Sequence, residues 1–322
     1  MLKVFVHCFG FRFHFSRKPG YDVFAFIDEA AELGFSGVNL SAFGPDYFFL
    51  GGVAPDHLRA IRNRIERRGL LVDLETGGTQ PQHLAATIEL AERLGAEHVR
   101  TYTHPSPGGP EEQVSNAVHD LSVVAPIAER AGIRILVENH EDLPARDVRE
   151  ILTKVAHPAL GALYDYGNSM LFMEDPLVSL RHLKPWVRTG HMKDHVVLPA
   201  TGKDGPLFLG VPLGEGNLPI VESTLQLVAA GADRVCFENC WAYQTFFRDP
   251  RGDATMGVGP FAYCLPPYEA ERCLPDAETA ERKRGLDLLA LERAALDRSI
   301  VWLRDACASA GIALARELLP AA

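Results

Sequence analysis

Residues 129–142 read ERAGIRILVENHED, and the order of residue types within that stretch is that of one helix-to-strand unit. A helical end runs into Gly132, where glycine supplies the left-handed residue that stops a helix. A short apolar run, 133–138, follows at once and reads as a strand. It ends on a carboxylate, Glu138, with Asn139, His140, Glu141 and Asp142 behind it. The same unit recurs along the chain. Candidate strands are 3–9, 37–40, 70–75, 98–103, 133–138, 160–165, 187–193 and 235–239. Helical spacing of apolar residues fills 22–34, 55–69, 81–94, 111–131, 145–156, 176–184 and 218–230, several stretches ending at Gly34, Gly69, Gly95, Gly132 or Gly231. A last helix near 279–310 would close the ring. The pattern predicts a single (β/α)8 barrel over residues 1–322, with a Gly/Pro/aromatic-rich insertion at 240–275 that would serve as a lid or partner-docking arm. An open doubly wound sheet uses the same alternation, and eight clean repeats favour closure. Within the insertion, Phe246, Phe247, Phe261 and Tyr263 call for packing against something.

At 47% hydrophobic, 322 residues suffice for a large core. Lys and Arg number 32 against 42 Asp and Glu, a formal charge of −10, so nothing draws nucleic acid or anionic lipid to the whole surface. The six cysteines, at 8, 236, 240, 264, 273 and 307, form no CxxC pair or dense framework, which points to a cytoplasmic chain. Lys3, His7, Arg12 and His14 interrupt the opening MLKVFVHCFGFRFHF, so no signal peptide or membrane anchor is expected.

Barrel active sites lie at the carboxyl ends of the strands, so polar residues that terminate the apolar runs are the candidates. Strand five ends on Glu138, strand six on Asp165 (ALYDYGN), strand seven carries His191 (TGHMKD), and strand eight ends on Glu238 (VCFEN). One carboxylate at a strand end is usually a cap or an ion-pair partner. Four metal-ligating side chains at four consecutive strand ends are a different matter. Three oxygen ligands and one nitrogen suit one divalent ion, Mn²⁺ first, with Mg²⁺ or Co²⁺ as alternatives.

In this order VENH, DYGN, GHMKD and FEN resemble the xylose-isomerase-like barrels, the broad group of sugar isomerases, epimerases and related lyases. The resemblance covers roughly residues 1–240 and the closing helix, with the HxKD of His191–Asp194 as its most specific piece. It implies that Glu138, Asp165, His191 and Glu238 are the metal ligands.

A metal with open positions can acidify a carbon beside a sugar carbonyl, and a base must then take the proton. Ketose 3-epimerases of this group carry a second glutamate six residues past the first ligand and an arginine six past the histidine. Here those positions are Pro144 and Val197, so the two-base machinery does not carry over. His140, two residues beyond Glu138, would point the same way along a strand and is the first candidate for the base; a loop residue that merely positions Glu138 is the competing reading. Lys193 would donate to an oxyanion or pair with Asp194 or Glu238. His7 and Glu75, at the ends of strands one and three, together with Asn168 and His195, are candidates for binding substrate hydroxyls.

The ExH arrangement and the long insertion resemble the large subunit of bacterial C-glycoside deglycosidases. That resemblance implies a 3-oxo-glycoside substrate, removal of H2, β-elimination of the aglycone from C1, and a small β-sandwich-like partner subunit docking on 240–275, in a hetero- or homo-oligomer. A sugar isomerase or epimerase and an inosose-dehydratase-like enzyme are the alternatives. An endonuclease-IV-like repair enzyme shares the barrel, but the acidic charge and the few histidines at strand ends oppose it. A non-catalytic subunit that binds sugar or a partner would show neither metal nor turnover.

Overall fold

The computed structural model describes residues 1–44, 47–200, 205–248 and 250–320. Along the chain the strands are β1 (Lys3–His7), β2 (Gly37–Ser41), β3 (Leu71–Glu75), β4 (His98–Thr101), β5 (Arg134–Glu138), β6 (Leu160–Asp165), β7 (Val187–Met192), β8 (Asp194–Leu198), β9 (Leu207–Val211), β10 (Arg234–Phe237) and β11 (Gln244–Phe246). Eight of them close a barrel in the order β1-β10-β7-β6-β5-β4-β3-β2, each pair parallel. The closed (β/α)8 architecture is therefore the one the alternation predicts.

The helices are α1 (Arg12–Arg17), α2 (Val23–Glu32), α3 (Pro55–Arg67), α4 (Pro81–Leu94), α5 (Pro110–Ala131), α6 (Ala145–Val155), α7 (Pro176–Leu183), α8 (Ile220–Ala229), α9 (Ala277–Arg284) and α10 (Leu288–Ser309). Their ends are written in the sequence. Asp22, Asp175 and Asp287 accept backbone N–H groups at the starts of α2, α7 and α10. Proline opens α3, α4, α5 and α7, where its missing N–H costs nothing. Gly95 and Gly132 close α4 and α5 with left-handed φ of 77° and 70°. Strands covered by helices outside and side chains inside are buried on both faces, hence the unbroken runs such as LGALYD in β6.

Three features depart from the expectations. The run 187–193 is interrupted: β7 stops at Met192 and Asp194 begins β8, which pairs antiparallel with β9, itself paired antiparallel with β11, forming a small sheet outside the barrel. The expected last helix near 279–310 is two helices, α9 and α10, parted at Gly285 with φ +65°. An unforeseen helix, α1, follows β1, held by buried Glu292 of α10, which accepts hydrogen bonds from the backbone N–H groups of Phe13 and His14. In the 240–275 segment, whose residue 249 lies outside the described residues, Phe247 and Phe261 face Phe208 of β9. Phe246 and Tyr263 stay 47% and 41% exposed, so among the described residues only Phe247 and Phe261 of that set place their rings against another aromatic ring.

Candidate metal centre

Parallel pairing brings the strand ends to one level: Asp165 of β6 lies opposite His191 of β7, and His191 opposite Cys236 of β10, two residues short of Glu238. His191 is buried between two carboxylates. Its Nδ1 lies 3.0 Å from Glu138 Oε1 and its Nε2 2.8 Å from Glu75 Oε1. Glu75 also accepts from Asn39 Nδ2 at 2.7 Å and makes a close contact with His7 Nε2. Arg100 of β4 places Nε 2.8 Å from Glu138 Oε2 and Nη2 3.4 Å from Glu75 Oε2. Lys193 Nζ bridges Asp165 Oδ2 at 2.8 Å and Glu238 Oε2 at 2.6 Å. Asp165 Oδ1 also accepts the N–H groups of Gly167 and Asn168, combining a turn-capping role with its place in the cluster.

Glu75, Glu138, Asp165 and Glu238 face Arg100, Lys193 and two histidines; His7 Nδ1 accepts the Phe9 N–H at 2.8 Å, which leaves its proton on Nε2 toward Glu75. With an acceptor on each ring nitrogen, His191 must carry both protons to satisfy them. Burial alone would lower its pKa, but Glu75 and Glu138 outweigh burial and lift it to about 10. Burial is likewise outweighed by Arg100 and His191 at Glu138, whose pKa drops to about 2. At Asp165 burial wins over Lys193, and the pKa rises to about 6.

Donor atoms of Glu138, Asp165 and His191 all lie within 4.8 Å of one another, as do those of His7, Glu75 and His191. Glu138 Oε2, Asp165 Oδ2 and Glu238 Oε2 are buried without an aligned hydrogen bond, although each has a cation within ion-pair reach. Hard oxygens with unused lone pairs beside one imidazole fit a divalent ion. The first triad belongs to the expected ligand set, while Glu238 joins it through Lys193. Because His191 holds a proton on the nitrogen a metal would take, loading should release about one proton per ion. Calorimetry in buffers of different ionisation enthalpy checks this, and affinity should rise with pH toward 10. In the metal-free protein the same raised pKa contributes stability that is complete below 6.5 and lost as pH rises through about 10.

Above the cluster lies a cavity of about 380 Å³ lined by His7, Glu75, Arg100, Asn168, Lys193, Glu238, Tyr102, His140 and other residues. His140 Nδ1 is 3.3 Å from Asp142 Oδ1, and its ring stacks on Tyr102 with centroids 3.8 Å apart. Asp142 is itself held by Gln113 at 2.9 Å and by Thr103. His140 thus has one nitrogen within ion-pair reach of an acid, without an aligned hydrogen bond to it, and lines the cavity. Tyr243, Thr245 and Arg248 of the 240–275 segment all bind Glu141, tying that segment to the ENHED loop.

Buried Asn168 lines the cavity with Nδ2 unpartnered. His195, also buried, is not among the residues lining this cavity. It packs on Gly167, where a Cβ would fall 2.6 Å from its Nδ1, and burial followed by Lys193 lowers its pKa to about 3, keeping it neutral. Lys193 pairs with Glu238, as expected, and with Asp165 instead of Asp194. Asp194 instead accepts four backbone N–H groups, from His195, Gly214, Gly216 and Leu218. Asp194→Ala would orphan them all, so it should lower the thermal midpoint while leaving His191 in place to bind metal, as melting curves and metal analysis would show. Sequence reasoning missed Arg100, Tyr102 and Asp142. The alternation of His98, Arg100 and Tyr102 in HVRTYT was the available signal for the first two, and the acidic step after His140 was the signal for the third.

Comparison with known proteins places this geometry in a family. Residues 27–255 match the model of the xylose isomerase-like TIM barrel. The uncharacterised protein YihM of Escherichia coli K12 is 24% identical over 207 residues, 64% of this chain and 63% of that protein. The 3-oxo-isoapionate decarboxylase of Pectobacterium atrosepticum is 28% identical over 173 residues, 54% of this chain and 62% of that enzyme. The chain thus spans less than two thirds of the length of either curated relative. Among solved structures, D-psicose 3-epimerase from Clostridium cellulolyticum H10 with D-tagatose superposes with TM-score 0.60 at 14% identity, over 92% of this chain and 98% of the other. No helix among the described residues is long and apolar enough to cross a membrane. With the family model matching well over half its length, the chain belongs to the xylose isomerase-like TIM barrel family.

Proposed function

We propose that the protein is a metal-dependent lyase acting on oxidised sugars, removing the proton next to a 3-oxo group and expelling the substituent at C1 by β-elimination. The His140–Asp142 pair, at the rim of the cavity that Lys193, Glu238 and Asn168 also line, carries this reading. When bound at Glu138, Asp165 and His191, with Glu238 as the expected fourth ligand, a divalent ion, Mn²⁺ first, would supply the Lewis acid that acidifies the carbon beside the carbonyl. His140 takes H2 on Nε2 while Asp142 holds Nδ1 and the ring plane rests on Tyr102. Lys193, freed from part of its carboxylate pairing, donates to the enediolate oxygen. Asn168 Nδ2 is a ready donor for a hydroxyl. The electron pair left at C2 forms the C1–C2 double bond as the substituent leaves.

Val197 is fully buried in β8 and Pro144 precedes the first turn of α6, so neither position presents an acid or a cation. This weighs against the two-base epimerase alternative. The decarboxylase relative favours a second reading, loss of CO2 from a 3-oxo sugar acid, because it passes through the same kind of enolate; there His140 would return a proton to carbon. Incubation with 3-oxo-glycosides, ketoses and 3-oxo sugar acids, followed by mass analysis of products, separates these readings. Release of the C1 substituent supports the first, release of CO2 the second, and a rearranged ketose would mean isomerase chemistry. The exposed Phe246, Val258, Tyr263 and Leu265 of the 240–275 segment are our proposed docking face for a small partner subunit.

Asp142→Asn should keep metal content and lower kcat by about 10–100-fold, because the negative charge facing His140 Nδ1 is lost. An unchanged kcat would remove Asp142 from the orienting role.

A further inference from the structure

We propose that Cys264 and Cys273 form a reversible disulfide, making the outer face of the β8–β9 sheet a redox modification site. Their Sγ atoms lie 3.9 Å apart, already in contact and about 1.9 Å beyond a bonded distance. Both ends are fixed in place. The Cys264 N–H donates to Val197 O of β8 at 2.8 Å, and the Cys273 N–H donates to Glu269 O at 2.7 Å. Cys273 packs with Val196, Leu198, Leu209 and Val211, with Cys264 against the same cluster. Closing the pair therefore needs rotation about the Cα–Cβ bonds more than movement of the backbone.

The two thiols are unequal, as a peroxide-reactive pair requires. Cys264 is partly exposed between the exposed Tyr263 and Leu265, and Arg272 Nη1 lies 3.8 Å from its sulfur. That guanidinium is anchored by Nε and Nη2 on Glu215 O at 3.0 and 2.7 Å, so the positive charge stays beside the sulfur. Cys273 is buried, and burial, then Cys264, pushes its thiol up to about 12, which keeps it protonated until it attacks. The other four cysteines are buried.

With hydrogen peroxide as oxidant, the Cys264 thiolate attacks one oxygen, the O–O bond breaks, and a sulfenic acid and hydroxide form. The Cys273 sulfur then attacks Cys264 Sγ, the S–O bond breaks, and water leaves with the Cys273 proton. Two thiols lose two electrons and one peroxide becomes two waters. A dithiol reductant reverses the bond by exchange.

Trypsin provides a direct test, because Arg251, Arg272 and Arg282 place Cys264 alone in peptide 252–272 and Cys273 alone in peptide 273–282. The native full chain is treated with dilute hydrogen peroxide, unfolded with N-ethylmaleimide to cap remaining thiols, and digested without reduction. The two peptides are expected covalently joined, separating on reduction, with four of six thiols capped in the intact chain. Cys264→Ser and Cys273→Ser should each abolish the joined pair. Finding Cys273 capped by the maleimide while Cys264 is a sulfinic acid, or Cys264 joined to another chain, would overturn the proposal.

Discussion

His140→Ala is expected to lower kcat by about 10²–10⁴-fold, the range a positioned acid–base group supplies. The variant should keep its metal, because His140 lies in neither group of converging ligands. It should also lose deuterium uptake at the carbon beside the substrate carbonyl, a readout that a packing defect alone would not select. The expectation follows from geometry: one nitrogen faces Asp142 at 3.3 Å, the ring face is covered by Tyr102, and the other nitrogen is left for the cavity. If His140→Ala still exchanged the proton at the parent rate, another group would be the base, and the histidine would be a prop for Glu138.

Lys193→Met carries the largest expected effect on stability. The ammonium bridges Asp165 and Glu238 in a buried setting, and burial is overcome by those two carboxylates to hold its pKa well above the ordinary lysine value. Removing it leaves two buried carboxylates without that partner, a change that costs about 3–5 kcal/mol in comparable buried pairs. The metal-free variant should unfold correspondingly early in urea. Divalent ion should restore most of the deficit, since it supplies positive charge to the same oxygens and binds only the folded form. The deficit should also shrink as pH falls below about 6, because burial already favours the protonated form of Asp165 there. A metal-free Lys193→Met protein as stable as its parent would mean that the bridge is not what neutralises the pair.

The barrel was legible because each β/α unit signals itself twice, once in periodicity and once in its stop residue. Gly132 and the IRILVE run give the helix end, the strand and the level of Glu138 within one short stretch. The β8, β9 and β11 sheet was not legible. DHVVL and LFLGV are apolar runs of strand length, but an antiparallel excursion inside a parallel pattern leaves no periodic mark, and 194–198 adjoins a true barrel strand. The break at Gly285 was hidden for a related reason, as one glycine in a long helical pattern is either tolerated or a stop.

At the site, Glu138, Asp165 and His191 were legible from strand ends alone because their side chains need only stand at the same level. What pairs with what was not. Arg100 reaches Glu138 and Glu75 on the two strands beside β4, and such contacts depend on the register between strands, which no local pattern encodes. For Lys193 the sequence leaves open a donor to an oxyanion and a partner for Asp194 or Glu238. Its chain neighbour Asp194 turns instead to four backbone N–H groups, leaving the ammonium to Asp165 and Glu238.

Solvent-deuterium incorporation by the parent protein shows whether a bound divalent ion makes the C2 proton removable. With Mn²⁺ and a 3-oxo-glycoside in D2O, the unreacted substrate recovered at partial turnover should carry one deuterium at C2 while the C1 substituent accumulates, and a chelator should stop both. Release of the substituent at full rate in the presence of the chelator, or metal-loaded protein that neither exchanges C2–H nor releases the substituent from any of the oxidised sugars, would contradict it.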